Sequence, residues 1–261
     1  MLSYGFDSPR IDFSNGTPVV TVFASPVGYG ENTSMCDKNG KLLFFASGCA
    51  VYDTTLQEMD NGDSLNTPGQ AYTYYCPQIY NYGLSNRSIM ALPNPGSDTK
   101  YSLFHLRYDN NTISGPVYLH PRSFLQTHVD MAKNNGLGMV TKKNEVVFQD
   151  TFVETLTAVR HANGRDWWIP AIKYLSNKIF LFRFSPNGMD GPKVCELPFV
   201  WGGYPWDPND GGIYTVDVFS PDGTRFACID SENGIMLAYF DRCTGEFSGA
   251  IKMPLPVPHN D

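Results

Sequence analysis

Charge is scarce in this chain: Asp, Glu, Lys and Arg make up 17% of its 261 residues. No Lys/Arg block occurs, and the formal net charge is −7. A nucleic-acid reader needs a basic footprint, so this balance argues against phosphate-backbone binding. No stretch approaches the roughly 18 apolar residues of a membrane-spanning helix. The opening MLSYGFDSPRIDF has neither a charged leader region nor an apolar one, so it does not read as a signal peptide. Six cysteines are present, at 36, 49, 76, 195, 228 and 243, but none forms a CxxC pair. A zinc ribbon or thioredoxin-type site is therefore disfavoured. Helical periodicity is nearly absent, and no G-x-S-x-G nucleophile motif appears.

Glycine, proline and aromatic rings are abundant instead: 24 Gly, 19 Pro and 14% Phe, Trp and Tyr. That mixture suits many short strands joined by tight turns, not a helical bundle or a disordered chain. A plan of turn, strand, turn, strand recurs. It is seen in CDKNGKLLFFASGCAVYD (36–53), in ANGRDWWIPAIKYLSNKIFLFRFSPNG (162–188) and in SPDGTRFACIDSENGIMLAYFD (220–241). PNPGSDTKYSLFHLRYDNN (93–111) is a looser version. Asn-Gly and Asp-Gly favour hairpin turns because their central residues reach positive φ at low cost. The leading turn glycines fall at 40, 96, 164 and 223. A period of about 60 residues with antiparallel strands in each unit predicts an all-β propeller of four-stranded blades. Residues 1–261 read as one domain, without linker or low-complexity segment. A small closed ring and a partial, open one both fit, and the open ring is favoured because the chain ends where another blade would begin. Truncation at the C-terminus, within a larger parent protein, is the matching expectation.

The runs NTSMCDKNGKLLFFASGCAVYD, MDNGDSLNTPG, ALPNPGSDTKYSLFHL, VDMAKNNGLG, LTAVRHANGRDWWIP, FSPDGTRFACID and FDRCTGEFS follow one another in this order. Together they resemble the WD40-like β-propeller of large exported Bacteroidetes proteins, which carry PKD-like modules and a type IX secretion tail. The resemblance spans nearly the whole chain and implies a secreted or cell-surface scaffold in adhesion or gliding motility. Its partners would be protein or polysaccharide at the cell surface, bound without catalysis. It brings no catalytic residues. The alternative is a propeller hydrolase or lyase acting on a glycan at the channel mouth. An exported protein lacking its leader in this chain would reconcile the six cysteines with the absent signal peptide.

The segment LTAVRHANGRDWWIP (156–170) concentrates candidate chemistry. As an enzyme site, His161 would be a base oriented by Asp166, with Arg160 as an oxyanion clamp. As a structural hairpin, Asn163-Gly164 makes the turn, and Arg160 or Arg165 ties to Asp166 across it, with His161 in a similar role. Turn chemistry explains nearly every residue, so the hairpin is preferred. The run SPDGTRF (220–226) departs from the Asp box of sialidases, because Asp222 abuts Gly223 directly. Arg107, Arg122, Arg160, Arg165 and Arg183 form no recognisable carboxylate-binding triad.

Asp60, Asn61, Asp63 and Asn66, and separately Asp207 and Asp210, place oxygens at spacings that can hold Ca²⁺. Neither cluster meets the EF-hand pattern, and Asx-rich turns explain both without metal. No metal or other cofactor is therefore assigned. Aromatics on loops form the candidate ligand surface: Trp201, Tyr204 and Trp206 in one Gly/Pro segment, Tyr74 and Tyr75 in a Tyr-rich insertion. Filling gaps between blades is the competing role for these rings. Cys49 ends the first hairpin and Cys76 lies in that insertion, so a bridge would tether it, and the resemblance implies the same pair. Cys228 and Cys243 are candidates for a second bridge if their strands are neighbours. Cys36 and Cys195 have no obvious partner.

Overall fold

Gly40, Gly96, Gly164 and Gly223 all adopt positive φ, between 71° and 80°. In a computed structural model of the chain, each lies in the turn between the first and second strands of a separate antiparallel sheet. At Gly40, Gly164 and Gly223 the glycine N–H donates to the carbonyl three residues earlier, at 2.8–3.0 Å. Side chains strain that left-handed backbone, which is why glycine recurs there. The structure describes residues 6–13, 16–25, 32–79, 87–110, 119–201, 215–230 and 233–255. The fold is all-β, with four antiparallel blades of β-propeller type. Contacts divide the chain into two compact units, Met1–Gln149 and Asp150–Asp261.

The first unit opens with the hairpin β1 (Phe6–Asp12) and β2 (Val19–Ser25). A sheet of β3 (Asn32–Cys36), β4 (Leu42–Ser47) and β5 (Val51–Asp53) follows. The helix α1 (Gln70–Ile79) leads to β6 (Ile89–Pro93), β7 (Lys100–Asn110), β8 (Leu119–Asp130) and β9 (Met139–Gln149), paired in that order. The two sheets share one core, with Phe44, Ala46 and Val51 packed with Ile89, Leu103, Val129 and Val140.

The second unit repeats the plan twice. One sheet is β10 (Val159–Arg160), β11 (Trp167–Ile172), β12 (Ser176–Ser185) and β13 (Gly188–Trp201). The other is β14 (Thr215–Phe219), β15 (Arg225–Asp230), β16 (Gly234–Asp241) and β17 (Glu246–Met253). Period-two alternation is plain in β15, where Phe226, Cys228 and Asp230 are buried and Arg225 and Ile229 are exposed. The core joins Trp168, Leu181, Phe199 and Trp201 of one sheet to Phe219, Phe226 and Phe240 of the other.

Four features depart from the sequence expectations. Among the described residues the first blade has three strands, because after β5 the chain enters a loop and then α1 instead of adding a fourth. The helix itself was not legible: QAYTYYCPQI holds Pro77 and no charged residue in either end turn. Tertiary ties hold it instead. The Asp109 carboxylate accepts from the Gln70 N–H at 3.3 Å, and Cys76 is disulfide-bonded to Cys49 in the β4–β5 turn. That bridge is the one the residues and the resemblance favoured.

Cys228 and Cys243, by contrast, are free thiols. Cys228 is buried mid-strand opposite Met236, whereas Cys243 sits past the far end of β16 in an exposed turn. Cys228 faces Met236, seven residues before Cys243, so the two are not the cross-strand neighbours that a disulfide, with Cα atoms within ~7 Å, requires. Cys36 and Cys195 are free as well. Trp201 ends β13 with no exposed surface, its ring tilted against that of Phe199 at 5.4 Å, so it is a core element and not a loop surface. Tyr204 and Trp206, like Asp207 and Asp210, lie outside the described residues.

Candidate functional site

The strands β10 and β11 fix the geometry of the segment that concentrates polar chemistry. Their register puts Arg160 directly opposite Trp167 and Val159 opposite Trp168. Arg160 stacks its guanidinium 3.9 Å from the Trp167 ring, a cation–π contact that facing strand positions permit. One terminal nitrogen of Arg160 also donates to the Arg165 carbonyl at 2.9 Å. Burial pushes the Arg160 guanidinium below its usual pKa range.

Asp166 is inaccessible to solvent and fully engaged. It accepts from Arg165 Nε at 2.7 Å, Asn163 Nδ2 at 3.0 Å and an Arg183 terminal nitrogen at 3.2 Å. The Arg165 hydrogen bond is the largest reason its carboxyl lies below the ordinary range. His161 is turned elsewhere: its Nδ1 accepts from the Asn163 N–H at 3.0 Å, and its ring lies 5.4 Å from that of Trp168. Asn163 Oδ1 accepts from the Arg165 and Asp166 N–H groups. The Asp166 carboxylate therefore orients arginines, not His161, and these residues form a braced turn. Arg160 does not tie to Asp166, as the hairpin reading allowed, but to Trp167 and the backbone.

This hairpin also grips the last blade. The Arg242 carbonyl accepts from the Trp168 indole N–H at 2.8 Å and from the Ala162 N–H at 3.0 Å. A cleft of about 420 Å³ opens between the first strands of the two sheets. Thr157, Ala158, Arg160 and Trp167 line one side; Val218, Ser220, Pro221 and Arg242 line the other. Gly223 belongs to the same wall. A Cβ there would meet Arg242 Cδ at 2.5 Å and Val159 Cγ2 at 2.6 Å, so its bareness makes room for the arginine. Among the described residues neither Arg160 nor Arg242 forms an ion pair with a carboxylate.

Arg242, Thr157 and Val218 were not singled out from the sequence. Arg242 lies more than 80 residues from Arg160, and only the packing of two sheets brings them to one cleft. The sole linear signal was an arginine in the turn between the last two strands of a repeat.

Polar clusters elsewhere are structural in geometry. In the 59–66 loop the Lys143 ammonium donates to the Asp63 carbonyl and carboxylate, each at 2.9 Å, and to the Asn61 carbonyl at 3.2 Å. Lys143 thus contacts two of the four residues considered for Ca²⁺, Asn61 and Asp63. The Asp63 carboxyl is held low by the Ser64 hydroxyl first and by Lys143 second. Asn66 Oδ1 meets His105 Nδ1 at 2.7 Å, and His105 Nε2 meets the Thr127 hydroxyl at 2.9 Å. Burial pushes the His105 pKa down to about 3, leaving a neutral ring that ties the loop to β7 and β8. Tyr74 is 63% exposed on α1, with Tyr75 edge-on to it at 4.8 Å.

Among the described residues no helix is long and apolar enough to cross a membrane, and no group of three His, Cys, Asp or Glu side chains is placed to hold a metal ion. No family model matches the chain, and no curated protein matches it. Among solved structures the chain is similar to a periplasmic gluconolactonase of Pseudomonas aeruginosa, at 11% identity and a TM-score of 0.47. That match covers 94% of this chain and 63% of the other, so the chain spans less than two thirds of that protein's length.

Proposed function

We propose that the protein is a non-catalytic binding module of β-propeller type, one domain over 1–261, that engages protein or glycan outside the cell or at its outer surface. In this reading it serves within a larger exported protein, of the kind that bears WD40-like propellers in Bacteroidetes. The observation that carries it is the make-up of the second unit's cleft. Its polar groups are two arginines and two hydroxyls, over an apolar lining of Ala158, Val218 and Pro221. Acid–base or nucleophilic catalysis needs paired titratable groups within hydrogen-bond reach of a substrate, and among the described residues the lining supplies none. The Cys49–Cys76 bridge supports an oxidising compartment. Tyr74 and Tyr75 would add an aromatic surface on the first unit, with Tyr204 and Trp206 as further candidates.

The test is a combined glycan and peptide array probed with the oxidised protein and with a Val218→Trp variant. Val218 is 48% exposed, so the indole fills the cleft without disturbing the core. Array signal that disappears in the variant, at unchanged melting temperature, supports the module. Silence from a folded sample, or signal indifferent to the substitution, overturns it.

The second reading, a hydrolase or lyase, draws on Glu154: burial pushes its carboxyl up to about 8, the direction a general acid needs. Product release from an arrayed glycan, abolished by Glu154→Gln, would replace the first reading with this one.

A further inference from the structure

We infer that the cleft between β10 and β14 is an anion subsite that takes the carboxylate of an acidic sugar unit, Arg160 and Arg242 holding the charge. The inference rests on the binding-module reading and names its ligand class.

Three observations converge. First, the Arg160 guanidinium and the Arg242 backbone are positioned before any ligand arrives. Arg160 is fixed by the Trp167 face and the Arg165 carbonyl; the Arg242 backbone is fixed by the two hydrogen bonds its carbonyl accepts from the facing hairpin, and its side chain runs along bare Gly223. Preorganised donors lose little freedom on binding. Second, the nearby carboxylates are engaged elsewhere. Asp166 is held by Arg165, Arg183 and Asn163; Asp222 accepts from the Ser220 hydroxyl and the Thr224 N–H; Asp241 accepts from the Cys243 and Thr244 N–H groups. Half-buried cations with no carboxylate partner among the described residues invite one from outside, and the planar guanidinium fork matches it two bonds at a time. Third, the space fits a small ring. A cleft of about 420 Å³ is within the ~300–1,000 Å³ of small-ligand sites, far from the broad face a protein partner needs. Val218 and Pro221 offer the apolar wall on which one face of a sugar ring lies, and Thr157 offers a hydroxyl beside it.

The net charge of −7 narrows the class further. Densely sulfated polymers would be repelled by the rest of the molecule, whereas one carboxylate per sugar is compensated locally by the arginine pair.

The experiment titrates the intact, oxidised protein with tetragalacturonate, with its fully methyl-esterified form and with tetraglutamate, by calorimetry. Tetragalacturonate is expected to bind, more weakly as NaCl rises. The ester, equal in shape but uncharged, is expected to bind at least tenfold more weakly. Arg242→Gln is expected to raise the tetragalacturonate Kd at least tenfold with an unchanged melting temperature, and Arg160→Lys, which keeps charge but loses the fork, to raise it also. Equal binding of acid and ester overturns the anion subsite while leaving the module intact. Equal binding of tetraglutamate overturns the sugar assignment. No binding of any of the three overturns the inference, and the array alone then decides the module reading.

Discussion

Breaking the Cys49–Cys76 bridge tests how the Tyr-rich insertion is held. The cysteines are 27 residues apart in sequence. Closing a loop of that length removes chain entropy from the unfolded state worth about 3.5 kcal/mol at 25 °C in the loop-closure model. Replacing both by serine should destabilise the first unit by about that amount. At roughly 2–4 °C per kcal/mol, the melting temperature should fall by about 7–14 °C. The assay is urea unfolding, with and without dithiothreitol, of the parent and the Cys49→Ser/Cys76→Ser protein. Dithiothreitol should lower the parent midpoint to the variant's and leave the variant unmoved, because Cys36, Cys195, Cys228 and Cys243 are already free thiols. Hydrogen exchange should place the greatest loss of protection in α1, whose other described tie at its start is the Asp109–Gln70 bond. A double variant as stable as the parent would refute the reasoning, since the helix would then be held without help from the bridge.

Gly223→Ala should cost more stability than Gly40→Ala by at least about 1 kcal/mol in urea midpoints. Both glycines have positive φ, but only a Cβ at 223 collides with Arg242 and Val159, whereas one at 40 meets open space. Asp166→Asn should destabilise the second unit by about 2 kcal/mol at pH 7, as charge-assisted bonds to a buried carboxylate are lost. Because Asp166's folded pKa is depressed, its contribution is present above the unfolded value near 3.9 and is lost as pH falls through the folded one. The stability of Asp166→Asn should therefore decline less than the parent's between pH 5 and pH 2. His105 also has a depressed pKa, about 3 against an unfolded value near 6.5. The unfolded chain binds that proton first, so stability should fall by one proton's slope as pH drops from about 6.5 toward 3. The His105 ring resonances should stay unshifted between pH 8 and pH 5, and a midpoint in that range would refute the neutral, buried ring.

What the sequence revealed and hid follows from the range over which each feature is determined. The four blade turns were legible because each depends on a few neighbouring residues and a glycine that local backbone sterics demand. The braced hairpin around Asn163 and Asp166 was legible for the same reason. Helix α1 was not, since its residues have little helix propensity and its anchors, Asp109 and Cys49, lie 39 and 27 residues away from the groups they hold. The free state of Cys228 and Cys243 depends on strand register, which no spacing rule encodes. The Gly202-Gly203 pair after Trp201 suggests a loop, yet the alternation Leu197, Phe199, Trp201 continues β13 to its end and buries the ring. The cleft was only half visible. Arg160 and Trp167 stand seven residues apart, while Arg242 joins them through the packing of one blade on the next.

The most direct measurement is to incubate whichever glycan or peptide the array captures with the oxidised protein for a day, then weigh both by mass spectrometry. Ligand recovered at unchanged mass, bound by the parent and released by Val218→Trp, is the result expected of a module that binds in this cleft and does no chemistry. Ligand cleaved by the parent would contradict it and make the protein an enzyme.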